Sequence, residues 1–368
     1  MISKRLLLVL FVFVLSLSTL LAAQITVDVK LVTLVATVTD RSGRHIPNLK
    51  AQDFIVEEDG VPQTVTLLEQ SFDVPVSVGV VLDTSTSMEG KIKTATASID
   101  NFLQTLEPND DIFLMSFAGG VRLEQDFTSD RKKLTNALRR VQLSNGTALY
   151  DALEKGLRKV REGKHEKKAI LLVTDGVDTS SIASFDEALR NVRVSEVLVY
   201  CLGISPSEFS STSTRRGGST PGTVPGRIPG GQGGPGGGGG GLGGPVITLP
   251  GGIQIPLPGP ARRQFPGGPG GGGGGIDSID MRVLDSIASA SGGKAWLLSS
   301  NASNGSNSQL EDALDEILLE LRSQYTIGYR PTHDLNDGKW HRVEVRMKND
   351  RYTARARKEY FGGDTPTK

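Results

Sequence analysis

Two apolar segments constrain the fold of this chain more than any other feature of its sequence. Residues 76–82 and 168–174 are rich in Val, Ile and Leu, and neither alternates strictly between apolar and polar side chains. Strands that are buried on both faces, as in the interior of a parallel sheet, have this pattern. Segments of helical periodicity alternate with them, so the sequence predicts a doubly wound α/β sheet with mostly parallel strands.

Further segments extend the same alternation along the chain. The patterns predict helices over residues 88–106, 131–141, 149–160, 185–194, 279–290 and 310–322. They predict strands over residues 111–117, 197–204 and 294–298, with residues 121–127 as an antiparallel edge strand.

Polar residues follow the two apolar segments at the points where each strand should end. Asp83 ends the first segment, Ser85 and Ser87 come next at alternate positions, and Asp175 ends the second segment. In open α/β sheets, ligands bind at the carboxyl edge of the strands. Carboxylate and hydroxyl oxygens without His or Cys favour Mg²⁺, Mn²⁺ or Ca²⁺ over zinc.

The Asp-x-Ser-x-Ser sequence of residues 83–87 resembles the metal-binding motif of von Willebrand factor type A domains, which include integrin I domains. Thr147, in the segment of residues 144–153, and Asp175, followed by glycine, match the second and third loops of that family in the same order. The resemblance implies that a divalent cation, Mg²⁺ first and Mn²⁺ or Ca²⁺ as alternatives, is bound by Asp83, Ser85, Ser87, Thr147 and Asp175. It also implies an open coordination position that accepts an Asp or Glu carboxylate from a partner protein.

The order of segments is similar to that of bacterial, typically acidobacterial, proteins related to this family. Phe-Ile-Val-Glu-Glu-Asp-Gly at residues 54–60 and Gln-Tyr-Thr-Ile-Gly-Tyr-Arg-Pro at residues 324–331 carry that resemblance. The glycine-rich insert described below departs from it.

The first residues predict export from the cytoplasm. Lys4 and Arg5 precede an apolar segment, residues 6–23, that ends in Ala22 and Ala23. A cleaved signal peptide fits the small residues at its end, and an uncleaved inner-membrane anchor fits its length. Either interpretation places the body of the protein in the periplasm or outside the cell, with membrane attachment only through residues 6–23.

Alternating strands on both sides of the predicted von Willebrand factor type A domain, called the A domain below, predict a small β-sandwich-like region. Residues 24–72 and 326–368 each show period-two alternation, and a hairpin is expected around Asp59-Gly60, between residues 54–58 and 63–68. Too few strands lie in either part for independent stability. We therefore expect the two parts to complete one sheet structure, with their arginines (Arg342, Arg346, Arg351, Arg355 and Arg357) on a solvated face.

Glycine and proline concentrate in one segment. Residues 206–275 hold 27 of the 45 Gly and 12 of the 18 Pro of the chain. This composition favours a disordered insert late in the A domain. The predicted organisation is a signal peptide or anchor (1–23), a β region (24–72), the A domain in two parts (73–205 and 277–325), the insert (206–276) and C-terminal strands (326–368).

Charge and motifs argue against several function classes. The formal net charge is zero and no nucleic-acid motif is found, so we expect no nucleic-acid partner. The single cysteine, Cys201, lies within an apolar strand, as a buried residue would. A haloacid dehalogenase motif would need Asp where Ser85 stands. The histidines His45 and His333 lie in turn-rich segments where a solvated side chain is expected, and no general base can be named, so we expect no enzyme activity.

The sequence thus predicts an exported, metal-dependent module for protein binding or adhesion. An envelope assembly or chaperone-like scaffold that uses the same site is the alternative, and a metal-dependent hydrolase is a remote one.

Overall fold

The computed structural model describes residues 31–70, 74–205, 246–248, 254–256, 279–298 and 306–363. The predicted signal peptide or anchor and most of the glycine-rich insert lie outside the described residues. The chain forms two compact units, residues 1–208 with 276–368 and residues 209–275. Within the described ranges, no helix combines the length and the apolar character that a membrane span requires.

The strands in chain order are β1 (Val32–Asp40), β2 (Phe54–Glu58), β3 (Val61–Gln63), β4 (Val65–Gln70), β5 (Val76–Asp83), β6 (Asp111–Phe117), β7 (Val121–Thr128), β8 (Lys167–Thr174), β9 (Leu198–Ile204), β10 (Val246–Thr248), β11 (Gln254–Pro256), β12 (Ala295–Leu298), β13 (Tyr325–Tyr329), β14 (Trp340–Met347), β15 (Tyr352–Ala356) and β16 (Glu359–Phe361). The helices are α1 (Ile92–Thr105), α2 (Arg131–Leu138), α3 (Leu149–Val160), α4 (Phe185–Val194), α5 (Met281–Ser291) and α6 (Ser306–Ser323). In the second unit, β10 and β11 pair antiparallel.

The predicted doubly wound sheet is confirmed. Its strand order is β12-β9-β8-β5-β6-β7, with every neighbouring pair parallel except β6 and β7. All residues of β5 are buried, as its apolar sequence requires. The helix after β5 begins at Ile92 rather than near Met88, because Gly90 has a φ of 85°, a left-handed conformation that an α-helix cannot include.

Helices cover both faces of this sheet, and alternate residues of each strand separate the two cores. Val80 of β5 lies in a core with residues of α1, α2 and α6, such as Ile99 and Leu314. Val81 lies in the opposite core with residues of α3, α4 and α5. Gly79 is required at its position because a Cβ there would come within 2.3 Å of the Phe113 ring.

N- and C-terminal strands form a second structure of two four-stranded sheets, ordered β15-β1-β13-β4 and β16-β14-β2-β3. Leu34, Val56, Ile327, Val343 and Tyr360 are among the buried residues of the core that the two sheets share. The predicted β-sandwich-like region is therefore confirmed, and each of its sheets contains strands from both ends of the chain.

The hairpin around Asp59 and Gly60 forms, with φ of 49° and 80° at these two residues. The prediction that it continues to Leu68 is wrong, because pairing of β2 with β3 ends at Gln63. Residues 65–70 cross to the other sheet and pair with β13, whose tyrosines and isoleucine are fully buried.

The expectation of a solvated arginine face holds for Arg342, Arg346 and Arg351, which are exposed, but is wrong for two others. Arg355 forms an ion pair with Glu320 of α6, and an Arg357 nitrogen donates to the carbonyl of Thr33 at 2.8 Å. The reason is that Arg355 lies against α6 of the A domain, while Arg357 lies between β1 and Glu196.

Candidate metal centre at the sheet edge

Three loops meet at the carboxyl edge of the doubly wound sheet. Asp83 is the last residue of β5, and Thr174 is the last residue of the neighbouring strand β8. The loop before α3 docks onto the loop after β5, since Ser144 N–H donates to the Thr84 carbonyl at 2.9 Å and Ser85 forms a parallel bridge with Ser144. Main-chain pairing thus fixes the relative position of the loops before any ion is considered.

Hydrogen bonds connect four of the five predicted ligands. The hydroxyl oxygens of Ser85 and Ser87 are 2.9 Å apart, and Ser87 Oγ donates to Asp175 Oδ1 at 2.7 Å. The Ser85 N–H donates to Asp83 Oδ1 at 2.8 Å. Side chains from residues 83–87 and from residue 175, 88 positions after Ser87, are therefore brought to one point.

Thr147, the fifth predicted ligand, faces the same region from the second loop. Its N–H donates to Thr179 Oγ1 at 3.0 Å, which fixes its backbone. A Cβ on Gly176 would lie 3.6 Å from Thr147 Oγ1 and 3.9 Å from Ser87 Oγ. The absent side chain of Gly176 therefore leaves room between these two hydroxyl groups.

Burial makes the Asp83 carboxylate dependent on a nearby positive charge. Asp83 is fully buried, and this burial raises the pKa of its carboxyl to about 6. Hydrogen bonds from Thr174 Oγ1, at 2.6 Å, and from Ser85 oppose the rise in pKa, and the Asp175 carboxylate adds to it. A cation beside Asp83 would relieve the cost of this buried negative charge.

Lys91 is a site residue that sequence reasoning missed. Its ammonium lies 2.5 Å from Asp175 Oδ2, and both side chains are shielded from solvent, with exposures of 13% and 0%. Lys91 directly precedes α1, and the left-handed turn at Gly90 brings it back toward the sheet edge. No spacing rule reveals this contact, because it depends on the geometry of that turn.

The residues present fit a divalent cation. All five predicted ligands offer hard oxygen donors, which suit Mg²⁺, Mn²⁺ and Ca²⁺. Asp83, Ser85, Thr147 and Asp175 are buried, whereas Ser87 is exposed and marks the side from which solvent reaches the group. A lysine ammonium already lies against one of the carboxylates, which shows that the site accommodates positive charge.

A second group of polar residues corrects an expectation about histidine. His333 is not a freely solvated side chain, because its Nε2 lies 2.5 Å from the buried Glu58 carboxylate. One nitrogen of His341 also lies within 4.8 Å of ligand atoms of both Glu58 and His333. Sequence spacing gave no signal of this contact, since 275 positions separate Glu58 from His333.

Comparison with known proteins supports the assignment of the A domain. Residues 78–177 match the family described as von Willebrand factor type A domain. A relative from Borreliella burgdorferi, described as an uncharacterised protein, is 29% identical over 139 residues, which cover 35% of this chain and 40% of that protein.

Two solved structures are also similar to parts of this chain. The von Willebrand factor domain of the type V pili tip protein Mfa5 from Porphyromonas gingivalis is 28% identical, covers 29% of this chain and 39% of that chain, and has a TM-score of 0.27. The conserved hypothetical protein BatB from Bacteroides thetaiotaomicron is 16% identical, covers 67% of this chain and 100% of that chain, and has a TM-score of 0.41. This chain thus spans about two fifths of the Borreliella relative and of the Mfa5 domain.

The predicted family resemblance is confirmed by the match over residues 78–177, while its acidobacterial detail stays a prediction. The match covers β5, β6, β8 and the loops that carry the candidate ligands. The chain therefore contains a von Willebrand factor type A domain.

Proposed function

We propose that this protein is an exported protein-binding module in which Asp83, Ser85, Ser87, Thr147 and Asp175 hold a divalent cation, Mg²⁺ first. A partner protein would bind there through an Asp or Glu carboxylate. When bound, the ion supplies an open coordination position for that carboxylate oxygen.

One observation carries this proposal: hydroxyl and carboxylate oxygens from three loops converge at one edge of the sheet. Ser87 Oγ bridges the first loop to Asp175 of the third loop, and Thr147 faces Ser87 across the space beside Gly176. Turns and helix caps explain polar residues singly. They do not explain why two acidic residues and three hydroxyl groups from distant positions share one point.

The charge of the group favours an anionic partner. Asp83 and Asp175 supply two negative charges, and Lys91 supplies one positive charge at 2.5 Å from Asp175. A divalent cation added to these three groups would leave a surplus of about one positive charge. An incoming carboxylate would neutralise that surplus, so Lys91 supports the expected preference for Asp or Glu on the partner.

Export is part of the proposal and is supported by the sequence of residues 1–23. A protein that is released would act in adhesion, whereas one held by residues 6–23 would act as an envelope scaffold with the same site chemistry. We propose binding rather than catalysis, because hydroxyl and carboxylate ligands with an adjacent ammonium provide ion and anion recognition without a further reaction step.

The test is a calorimetric titration of the full chain with MgCl₂, beside the variant Asp83→Ala. We expect saturable binding of one ion in the wild type and none in the variant. Asp126→Ala is the matched control, because Asp126 is an exposed aspartate on β7 that pairs with Lys159 at 2.7 Å. It should bind Mg²⁺ like the wild type.

Acetate, the simplest carboxylate, tests the second half of the proposal. Amide signals of residues 83–91 and 144–148 should shift on addition of acetate in the presence of Mg²⁺ and not in its absence. Absence of Mg²⁺ binding by the wild type would reduce the A domain to a structural scaffold. Equal acetate shifts with and without Mg²⁺ would reject a metal-borne carboxylate site.

A further inference from the structure

A groove between α1 and α2 begins beside the sheet-edge centre. Helix α1 directly follows Lys91, which contacts Asp175. Strand β7 runs antiparallel to β6, so α2 starts at the amino edge of the sheet and runs back toward the carboxyl edge, where the chain reaches Ser144 and pairs with Ser85. The start of α1 and the end of α2 therefore both lie toward the candidate ligands. We call the space between the two helices the α1–α2 groove.

Two adjoining hollows of about 250 and 270 Å³ make up this groove. Their lining residues recur every three or four positions on each helix, so each wall is one continuous helical face. The α1 wall consists of Lys93, Thr96, Ala97, Asp100 and Gln104, and the α2 wall consists of Lys132, Thr135, Asn136, Leu138 and Arg139.

Hydrogen bonds join the two walls and hold the groove in shape. Thr135 Oγ1 donates to Asp100 Oδ1 at 2.5 Å, and Gln104 Nε2 donates to Thr135 Oγ1 at 3.3 Å. Leu138 is only 3% exposed and packs into the core beneath the helices. The groove is thus a fixed feature of the surface rather than a space that an occupant must open.

The lining of the groove carries more positive than negative charge. Lys93, Lys132 and Arg139 are exposed, and in the part of the chain that the structure describes none of the three forms an ion pair. Asp100, the acidic residue of the lining, accepts hydrogen bonds from Thr135 and Gln104 instead. Three cations and one carboxylate leave a surplus of two positive charges, although the formal net charge of the whole chain is zero. The groove therefore suits an anionic occupant.

The other lining groups suit a peptide chain. Gln104 and Asn136 are exposed side-chain amides, which can both donate to and accept from peptide groups. The small side chain of Ala97 leaves room in the α1 wall. From Lys132 to Arg139 the α2 wall rises about 10 Å, the length of about three residues of extended chain. Carboxylates at successive positions of one peptide can thus reach cations at both ends of this wall.

We propose that the α1–α2 groove is a second contact surface for the partner protein, and that the partner presents an extended acidic segment rather than a single carboxylate. This inference rests on the proposed function, since one carboxylate of the segment would bind at the sheet-edge centre. The acidic side chains next to it would pair with Lys93 and Arg139, and a more distant one would pair with Lys132. Complementary charge of this kind selects among partners and raises the rate of association.

The test compares two six-residue peptides by calorimetry on the full chain with saturating MgCl₂. One peptide is hexaglutamate, and the other is serine with a single glutamate. A single glutamate, like acetate, occupies only the ion. We therefore expect hexaglutamate to bind the wild type about tenfold more tightly, since two exposed ion pairs contribute roughly three- to fivefold each. This advantage should disappear in about 1 M NaCl, where the screening length is about 3 Å.

The double variant Lys93→Gln with Arg139→Gln should lose the advantage of hexaglutamate and keep the wild-type affinity for Mg²⁺ and for the single-glutamate peptide. Both positions are exposed, so the variant is expected to fold. Lys155→Gln with Arg161→Gln is the matched control, because both residues are exposed on or directly after α3, which covers the opposite face of the sheet. This control removes the same charge and should keep the advantage of hexaglutamate.

Amide signals separate this inference from the metal proposal. With EDTA in place of Mg²⁺, hexaglutamate should still shift the amides of residues 93–104 and 132–139 in the wild type and not in the double variant. Such shifts in a wild type that binds no Mg²⁺ would reject the sheet-edge proposal and support the groove. Equal affinities of the two peptides, an equal loss in the matched control, or stronger groove shifts with inorganic triphosphate than with hexaglutamate would overturn the inference.

Discussion

The sheet-edge centre takes its side chains from two loops that follow neighbouring strands and from the loop before α3, whereas Glu58, His333 and His341 of the sandwich come from both ends of the chain. Asp83 and Asp175 stand where β5 and β8 end, and those two strands are neighbours. Glu58 and His341 also lie on neighbouring strands, but the whole A domain separates them in sequence. The first arrangement leaves a local pattern in the sequence, and the second leaves none.

The two groups of residues also differ in the source of positive charge. Lys91 lies against Asp175 at the sheet edge, so that centre contains a protein cation of its own. In the sandwich, the Tyr360 hydroxyl donates to the buried Glu58 carboxylate at 2.6 Å, and His333 Nε2 lies 2.5 Å from the same oxygen. The positive charge at the sheet edge is therefore a lysine ammonium, whereas the groups that face Glu58 are an imidazole and a hydroxyl.

Deleting residues 338–368 should have the largest effect. It should destabilise the β-sandwich, which needs these residues, and leave the A domain folded. The deletion removes β14, β15 and β16, so β1 and β2 each lose a neighbouring strand. Amides of residues 32–40 and 54–58 should lose protection from hydrogen exchange that is equivalent to about 5 kcal/mol or more, since β2 is left in a two-stranded hairpin and β1 loses part of the core that covers it. Amides of β5 and β8 should stay protected.

A chain that ends at Gly363 is the control for this deletion, since it retains every strand of the sandwich. Unchanged protection of residues 54–58 in the shorter chain would contradict the assembly of each sandwich sheet from both ends of the chain.

Sequence reasoning succeeded for local patterns and for the assembly of the sandwich from both ends of the chain, and it failed for individual long-range contacts. The strand-to-helix alternation of the A domain, and the positions of the five predicted ligands on its loops, follow from patterns within short segments. The transfer of residues 65–70 to the other sheet depends on the buried face of β13, which is distant in sequence. The contacts of Lys91 and His333 depend on a turn and on a long-range pairing, and neither leaves a periodic signal.

Replacing Glu320 with alanine should break a contact that couples the A domain to the β-sandwich. Glu320 of α6 is 1% exposed, accepts a hydrogen bond from the Tyr200 hydroxyl at 2.8 Å and forms an ion pair with Arg355 of β15. Removing one member of a buried ion pair costs about 3–5 kcal/mol. Chemical denaturation should show this loss in the free energy of unfolding.

Glu316→Ala, one turn earlier on the same helix, is the matched control. Glu316 pairs with Lys294 at 2.5 Å, but both side chains are about 40% exposed. An exposed pair contributes about 1 kcal/mol or less. Equal losses of stability for the two variants would show that α6 does not couple the sandwich to the A domain.

Asp83→Asn should stabilise the protein in the presence of EDTA and at the same time abolish Mg²⁺ binding. Burial raises the pKa of Asp83 from 3.8 to about 6, so the folded state binds this proton more tightly than the unfolded state. The stability that this bound proton contributes to the folded state is fully present below about pH 4 and is lost as the pH rises through about 6. This loss amounts to about 3 kcal/mol at neutral pH, and asparagine, which has no charge to bury, should avoid it.

The measurement for Asp83 is the free energy of unfolding from pH 4 to pH 8, with EDTA and with saturating MgCl₂. With EDTA the wild type should lose stability across this range relative to Asp83→Asn, and with MgCl₂ only the wild type should gain stability. A difference between the two proteins that does not change with pH would show that the buried carboxylate is not the cause.

Lys91→Gln should have the smallest effect, and its two consequences should have opposite signs. Removing the ammonium from Asp175 removes a competing positive charge, so Mg²⁺ should bind about tenfold more tightly, equivalent to about 1.4 kcal/mol. Acetate should then bind more weakly to the Mg²⁺ form, because the surplus of positive charge is gone. Lys93→Gln, at an exposed position two residues later, should change neither affinity. If both affinities fell together in Lys91→Gln, the lysine would be a structural support of the loop rather than a cation that exchanges with the metal.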